Sequence, residues 1–266
     1  MADAFNRAAL VTRLTTVLPL ARTLLLALGL ILQAGCGVRL GGPGIPAEPP
    51  GESAPAFLMP DGTRLPYHAW LPKGQPWAVV LALHGMNDSR DAWEYPAADF
   101  TAAGIAVFSP DQRGFGATST RGYWAGGQEM ASDARAMVRQ LRMQYPKARL
   151  ILMGESMGAA VLMLLATEPD PPHVDGYVLI APAVWARSEM NLLLRASLWV
   201  ATNTVPGVRL TGGGLIKVTA SDNREALRRL SMDPLTIHAT RVDAINGLVN
   251  LMDAASAAAP RFQAPA

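Results

Sequence analysis

The stretch L150-ILMGESMGAAVLM-L164 decides how this chain reads. Its first four residues, Leu150–Met153, are continuously apolar, its last six are small or apolar, and between them stands Gly154-Glu155-Ser156-Met157-Gly158. A short apolar run before a G-x-S-x-G and a helix-forming run after it make a strand, a sharp turn and a helix. Ser156 then sits on the turn, and Gly154 and Gly158 leave no side chain to obstruct close strand–helix packing. The start of the helix Met157–Thr167 directs unpaired N–H groups and a partial positive charge at the same place. A serine hydroxyl is almost un-ionised at neutral pH, so a nucleophilic Ser156 needs a base beside it.

Working outward, WAVVLALH (77–84), GIAVFSP (104–110), ARLILMG (148–154) and GYVLIAP (176–182) are further short apolar runs, each ending at a Gly, Pro or polar residue. Fully buried parallel strands have this look. Helical stretches lie between them. Ser89 to Ala103 opens with a Ser/Asp cap, and Gln128 to Tyr145 sets Met130, Ala134, Met137, Val138 and Leu141 on one stripe. The alternation predicts an α/β fold with a mostly parallel sheet and helices on both faces. Two earlier strands, Ala56–Met59 and Arg64–Trp70, flank a Pro-Asp-Gly turn and predict an antiparallel hairpin at one edge. HGMND (84–88) follows the strand 77–83, where a turn brings a backbone N–H to a substrate carbonyl. By position, the N–H groups of Met86 and Met157 form the oxyanion hole.

Composition sets the outer limits. The 266 residues are half apolar and only 17% charged, enough for a full core. The formal charge of +2 is accounted for by Arg7, Arg13 and Arg22 against Asp3, so the remainder is neutral and no nucleic-acid surface is expected. One cysteine, Cys36, excludes an intrachain disulfide and a cysteine-rich metal site, and no cofactor is called for. Residues 1–36 combine a basic start, the apolar run TLLLALGLILQA (23–34) and Gly35-Cys36, a secretory signal too short to span a bilayer. The arrangement Ala-Gly-Cys resembles the bacterial lipoprotein signal, although Gln33 stands where an aliphatic or small residue is usual. That resemblance implies a lipid-anchored protein of the bacterial cell envelope, meeting the membrane surface through Cys36. An uncleaved anchor and an ordinary secretory signal are the other readings. Residues 37–55, rich in Gly and Pro, suit a flexible tether.

HGMND, SPDQRGFGAT (109–118), RGYWAG (121–126), GESMG and GYVLIAPAV (176–184) follow one another in the order found in α/β-hydrolases. The chain resembles the lysophospholipase and monoacylglycerol lipase type, sometimes labelled serine aminopeptidase-like, over about residues 56–258. The resemblance implies a core at 56–183, a helical cap or lid at 184–239 and a post-cap helix within 240–266. It implies Ser156 as the nucleophile, Met86 and Met157 as oxyanion donors and a lipid ester as substrate. Gln112 and Phe115 stand where that family often shows histidines. Asp111 and Arg113 are expected to hold their turn together.

None of the four histidines suits the base. His84 ends its strand ahead of the oxyanion turn and is expected to brace the loop. His68 lies in the second strand, His173 precedes a strand and so belongs at the opposite end of the sheet from Ser156, and His238 falls in the cap. The fold's order is Ser, acid, His, on loops after later strands. No such strands are legible after Leu251, so the acid and the His are expected to be absent from this chain, with the strand Tyr177–Ile180 left as a bare edge. Two functions remain open: a serine ester hydrolase acting on lysophospholipids or monoacylglycerols, and a non-catalytic or vestigial lipid-binding protein of the envelope. In the cap, EMNLLLRASLWVAT (189–202) predicts an unusually apolar helix, and a second helix is expected from Asp222 with Glu225 completing a capping box.

Overall fold

A computed structural model describes residues 55–211 and 222–266. The secretory segment, Cys36 and all of the tether but Pro55 lie outside the described residues. Six strands form the main sheet: β1 (Ala56–Leu58), β2 (Arg64–Trp70), β3 (Ala78–Leu83), β4 (Ile105–Pro110), β5 (Arg149–Glu155) and β6 (Gly176–Ile180). Their order is β1-β2-β4-β3-β5-β6, with β4, β3, β5 and β6 parallel and the hairpin β1–β2 antiparallel at one edge. Gly62 supplies the positive φ of 82° in the hairpin turn, where the Met59 N–H donates to Thr63 C=O at 2.8 Å.

Helices make the parallel crossovers: α1 (Glu94–Ala102) from β3 to β4, α2 (Gly127–Gln144) from β4 to β5, and α3 (Met157–Ala166) from β5 to β6. The predicted helix from Ser89 is divided. A 3-10 turn, Arg90–Trp93, comes first, with Ser89 Oγ accepting the Asp91 N–H, and α1 starts only at Glu94. Pro96 follows in the first turn of α1, where its missing N–H costs no helical bond.

Alternation along the strands sorts the two faces. Val79, Leu81 and Leu83 join Phe108, Leu152 and the apolar stripes of α2, α3 and α6 (Val242–Ala258) in the larger core. Val80, Ala82, Val107 and Met153 face the other way, against Trp93 and Phe100. The five residues expected on the stripe of α2 are all buried.

Among the described residues no strand joins the sheet beyond β6. Its expected bare edge needs a correction, because the Tyr177 N–H donates to Pro265 C=O at 2.8 Å and the Phe262 ring stands edge-on to Tyr177 at 5.5 Å. Val178 and Ile180, on the opposite face of that strand, remain exposed.

Between the sheet and α6 lie α4 (Leu192–Thr204), β7 (Arg209–Thr211), α5 (Arg224–Met232) and β8 (Ala239–Arg241). The β7–β8 antiparallel pair, in which Arg209 faces Arg241, was not legible in the sequence, and β8 straddles the boundary expected at residue 239. Both helix starts shift. Asn191 caps α4, and Asn223 rather than Asp222 caps α5, its side chain accepting the N–H groups of Glu225 and Ala226.

Candidate active site

The elbow is built by backbone crowding. Ser156, between β5 and α3, has φ 50° and ψ −111°, a conformation that L-residues rarely hold. A Cβ on Gly154 would lie 2.6 Å from the Gly158 carbonyl carbon, and one on Gly158 would lie 2.5 Å from the Leu83 oxygen. Only glycine fits either place. The strained residue is pinned by its own backbone: its N–H donates to Ile180 C=O at 3.0 Å, and its C=O accepts from Ala183 at 3.0 Å and Ala160 at 3.1 Å. Its hydroxyl has no hydrogen-bond partner among the described residues.

The turn after β3 lies directly against this elbow. A Cβ on Gly85 would stand 3.6 Å from the Ser156 Cβ. Neither the Met86 N–H nor the Met157 N–H donates a hydrogen bond among the described residues. Met157 opens α3, so the positive end of the helix dipole adds to its amide. Asn87 holds the turn from the cap side in a left-handed conformation, φ 66°. Its C=O accepts the Ile237 N–H at 2.8 Å and its Nδ2 donates to Thr240 Oγ1 at 2.7 Å. Ser89 Oγ adds a bond to Asp233 at 3.2 Å. Burial and repulsion from Asp233 and Asp91 raise the carboxyl pKa of Asp88 beside the turn, and burial and repulsion from Asp88 raise that of Glu155.

His84 is fully buried with both ring nitrogens engaged. Nδ1 meets Gly85 C=O at 2.7 Å, and Nε2 accepts the Gln112 N–H at 3.1 Å, which fixes a neutral Nδ1–H tautomer. Burial pushes its pKa down. The side chain of Gln112 completes the brace by donating to His84 C=O at 2.7 Å. Of the other histidines, His68 pairs with Asp91 at 2.7 Å, His173 lines a cavity with Thr167 and Arg261, and His238 lines a cleft with Arg121 and Arg209. None bonds to Ser156.

Asp111 and Arg113 do hold their turn. Asp111 is fully buried and accepts the N–H groups of Arg90 and Ala117 at 2.7 and 2.8 Å, and burial raises its carboxyl pKa. Arg113 forks onto Asp133 through two 2.8 Å bonds and reaches Asp61 at 2.7 Å. Sequence reasoning missed Asn87 and Arg121, which tie the site to the cap. Arg121 donates to the carbonyls of Gly116, Pro234 and Thr236 at 2.7, 2.9 and 3.0 Å. Their partners in the cap lie more than a hundred residues away, so no local pattern marks them.

Residues 74–266 match the family of the serine aminopeptidase, S33, which takes in the sheet from β3 onward, the elbow and the cap. The chain belongs to that family. Monoglyceride lipase from Rattus norvegicus is 28% identical over 229 residues, covering 83% of this chain and 73% of the relative. Mycolicibacterium smegmatis monoacylglycerol lipase is 27% identical over 184 residues, 69% and 65% of the two chains. Two solved structures share the α/β-hydrolase fold. A monoacylglycerol lipase from Paleococcus ferrophilus has a TM-score of 0.58 at 22% identity, over 76% of this chain and 75% of that one. A soluble variant of the Saccharomyces cerevisiae monoglyceride lipase scores 0.59 at 19% identity, over 77% and 71%.

Proposed function

We propose that this S33 family member is a serine ester hydrolase acting on monoacylglycerols or lysophospholipids. The observation that carries the reading is Ser156 itself: a strained, half-buried serine whose hydroxyl is uncommitted, at a helix start, with the Met86 turn packed against it. Its Oγ would attack the ester carbonyl and give up its proton to a base. The N–H groups of Met86 and Met157 would take the developing oxyanion. Collapse of that intermediate would break the ester bond, release the glycerol-side alcohol with the proton and leave an acyl group on Ser156. Water, activated by the same base, would then free the fatty acid and restore the hydroxyl. The reading assigns base and acid to none of the four histidines or their partners, His84 least of all, since its nitrogens are occupied. An apolar cap with Leu192, Leu193 and Trp199 turned to solvent suits a long acyl chain.

A fluorophosphonate probe should label Ser156, and Ser156→Ala should abolish labelling and lower ester hydrolysis by at least about 10³-fold. Labelling that survives the substitution would sink the assignment. The second reading, a lipid-binding protein without catalysis, draws on one observation, that no imidazole meets Ser156 among the described residues. Lipid binding without any labelling would select it.

A further inference from the structure

Below the β7–β8 pair, the cap and the core enclose a cleft of about 260 Å³ whose charge is unbalanced. Its ionisable lining is Arg121, Arg209 and His238, with no carboxylate among the described lining residues. Arg121 hydrogen-bonds only to backbone carbonyls, with the charges of Asp111 and Asp233 felt from outside the cleft lining. Arg209 is more exceptional. Its Nε and Nη2 are buried and have no acceptor among the described residues. A buried guanidinium N–H without an acceptor costs free energy, because water has been removed and nothing replaces it.

Two further features sharpen the imbalance. Arg209 faces Arg241 across the β7–β8 ladder, and like charges directly opposite one another oppose pairing. Arg241 is neutralised by Asp243 at 2.9 Å and stacks over Tyr123, whereas Arg209 has no such partner among the described residues.

We propose that this cleft is an anion site that receives a phosphate group, with Arg209 as its principal ligand and Arg121 and His238 beside it. A fork of guanidinium donors matches phosphate oxygens two at a time. A volume just under that of a drug-sized pocket admits a head group and not a whole lipid. The cleft communicates with the elbow through Ile237, which lines it and whose N–H bonds to Asn87 in the oxyanion turn. As a head-group subsite the assignment rests on the lipid-ester reading; as an anion site it stands apart from it.

Calorimetric titration of the full chain, with inorganic phosphate and then with a 1-acylglycerol 3-phosphate below its micelle concentration, tests this. Arg209→Gln should weaken both ligands by about tenfold or more, while Arg224→Gln, in a separate cleft with Asp91 and Glu94, should not. Tighter binding of the lipid than of phosphate identifies a head-group site, and equal binding identifies a site for the free ion. In phosphate-free buffer Arg209→Gln should melt no lower than the parent, because it removes unsatisfied buried donors. A merely structural arginine would show the opposite. Phosphate binding that is unchanged in Arg209→Gln, or absent from the parent chain, overturns the proposal. Ser156→Ala must leave phosphate binding intact, so a chain that binds phosphate but is not labelled at Ser156 loses only the hydrolase reading.

Discussion

Two helices of this protein both carry long apolar runs and are opposite in fate. In α3, MGAAVLMLLA, all ten residues are buried. In α4, LLLRASLWVATNT, none is, and Leu192, Leu193 and Trp199 are 80%, 78% and 68% exposed. The difference lies in what surrounds them. Gly158, Ala159 and Ala160 let α3 press onto the end of β3, while its leucines meet α2 and α6 on the other side. Only the Leu198 side of α4 reaches a core, the small cluster around Met190, Val249 and Met252. Apolar content says how strongly a helix gains from being covered. It does not say by what.

That contrast can be broken at its tightest point. Gly158→Ala would place a methyl 2.5 Å from the Leu83 carbonyl oxygen, a backbone atom that has nowhere to move. The expected cost is about 3 kcal/mol or more, read as a large fall in the urea midpoint. An unchanged midpoint would show that strand and helix are less tightly apposed than the geometry requires.

A middle-sized effect belongs to pH. The packed half contains His84, whose pKa burial lowers from 6.5. As pH falls below 6.5 the unfolded chain takes up that proton first, so stability present above 6.5 is progressively lost toward the lower folded value. Asp88, Asp111 and Glu155 act in the opposite sense. Their folded pKa values are raised, so the folded state binds protons first and acid favours it. Comparing the parent chain with His84→Gln between about pH 7.5 and 5.5 isolates the imidazole: the parent should lose more stability on acidification than the variant. Parallel pH profiles would remove His84 as a buried neutral brace.

The smallest stability effect should come from the cap. Leu193→Gln is expected to change the urea midpoint by no more than about 0.5 kcal/mol equivalent, since little buried surface is lost. The same change should slow hydrolysis of a dispersed long-chain monoacylglycerol while sparing a soluble short-chain ester. A marked loss of stability would mean that α4 is covered in solution and that the contrast with α3 is false.

Much of this was legible in one dimension. The apolar runs located β3, β4, β5 and β6; β3, β4 and most of β5 are buried on both faces and leave no alternation to disguise them, while β6 keeps its apolar run although Val178 and Ile180 are exposed. The stripe of α2 and the PDG hairpin turn are local signals of the same kind. GESMG placed Ser156 between a strand and a helix because three short-range requirements coincide there: two glycines with no room for Cβ and one residue at positive φ. The β7–β8 pair escaped because three-residue strands have no periodicity and their partners lie thirty residues apart. The ligatures from Asn87 and Arg121 to the cap escaped for a similar reason, since a hydrogen bond between distant residues leaves no mark on either neighbourhood.

The sequence by itself determined the parallel sheet, the elbow and the expectation that His84 braces a loop, because each follows from residues within a few positions of one another. Only the tertiary structure decided that both His84 nitrogens are occupied, that Pro265 and Phe262 meet Tyr177 on β6, and that Arg209 Nε and Nη2 are buried without an acceptor among the described residues. Satisfaction of a polar group depends on every group that the fold brings within about 3 Å of it, and those neighbours come from anywhere along the chain.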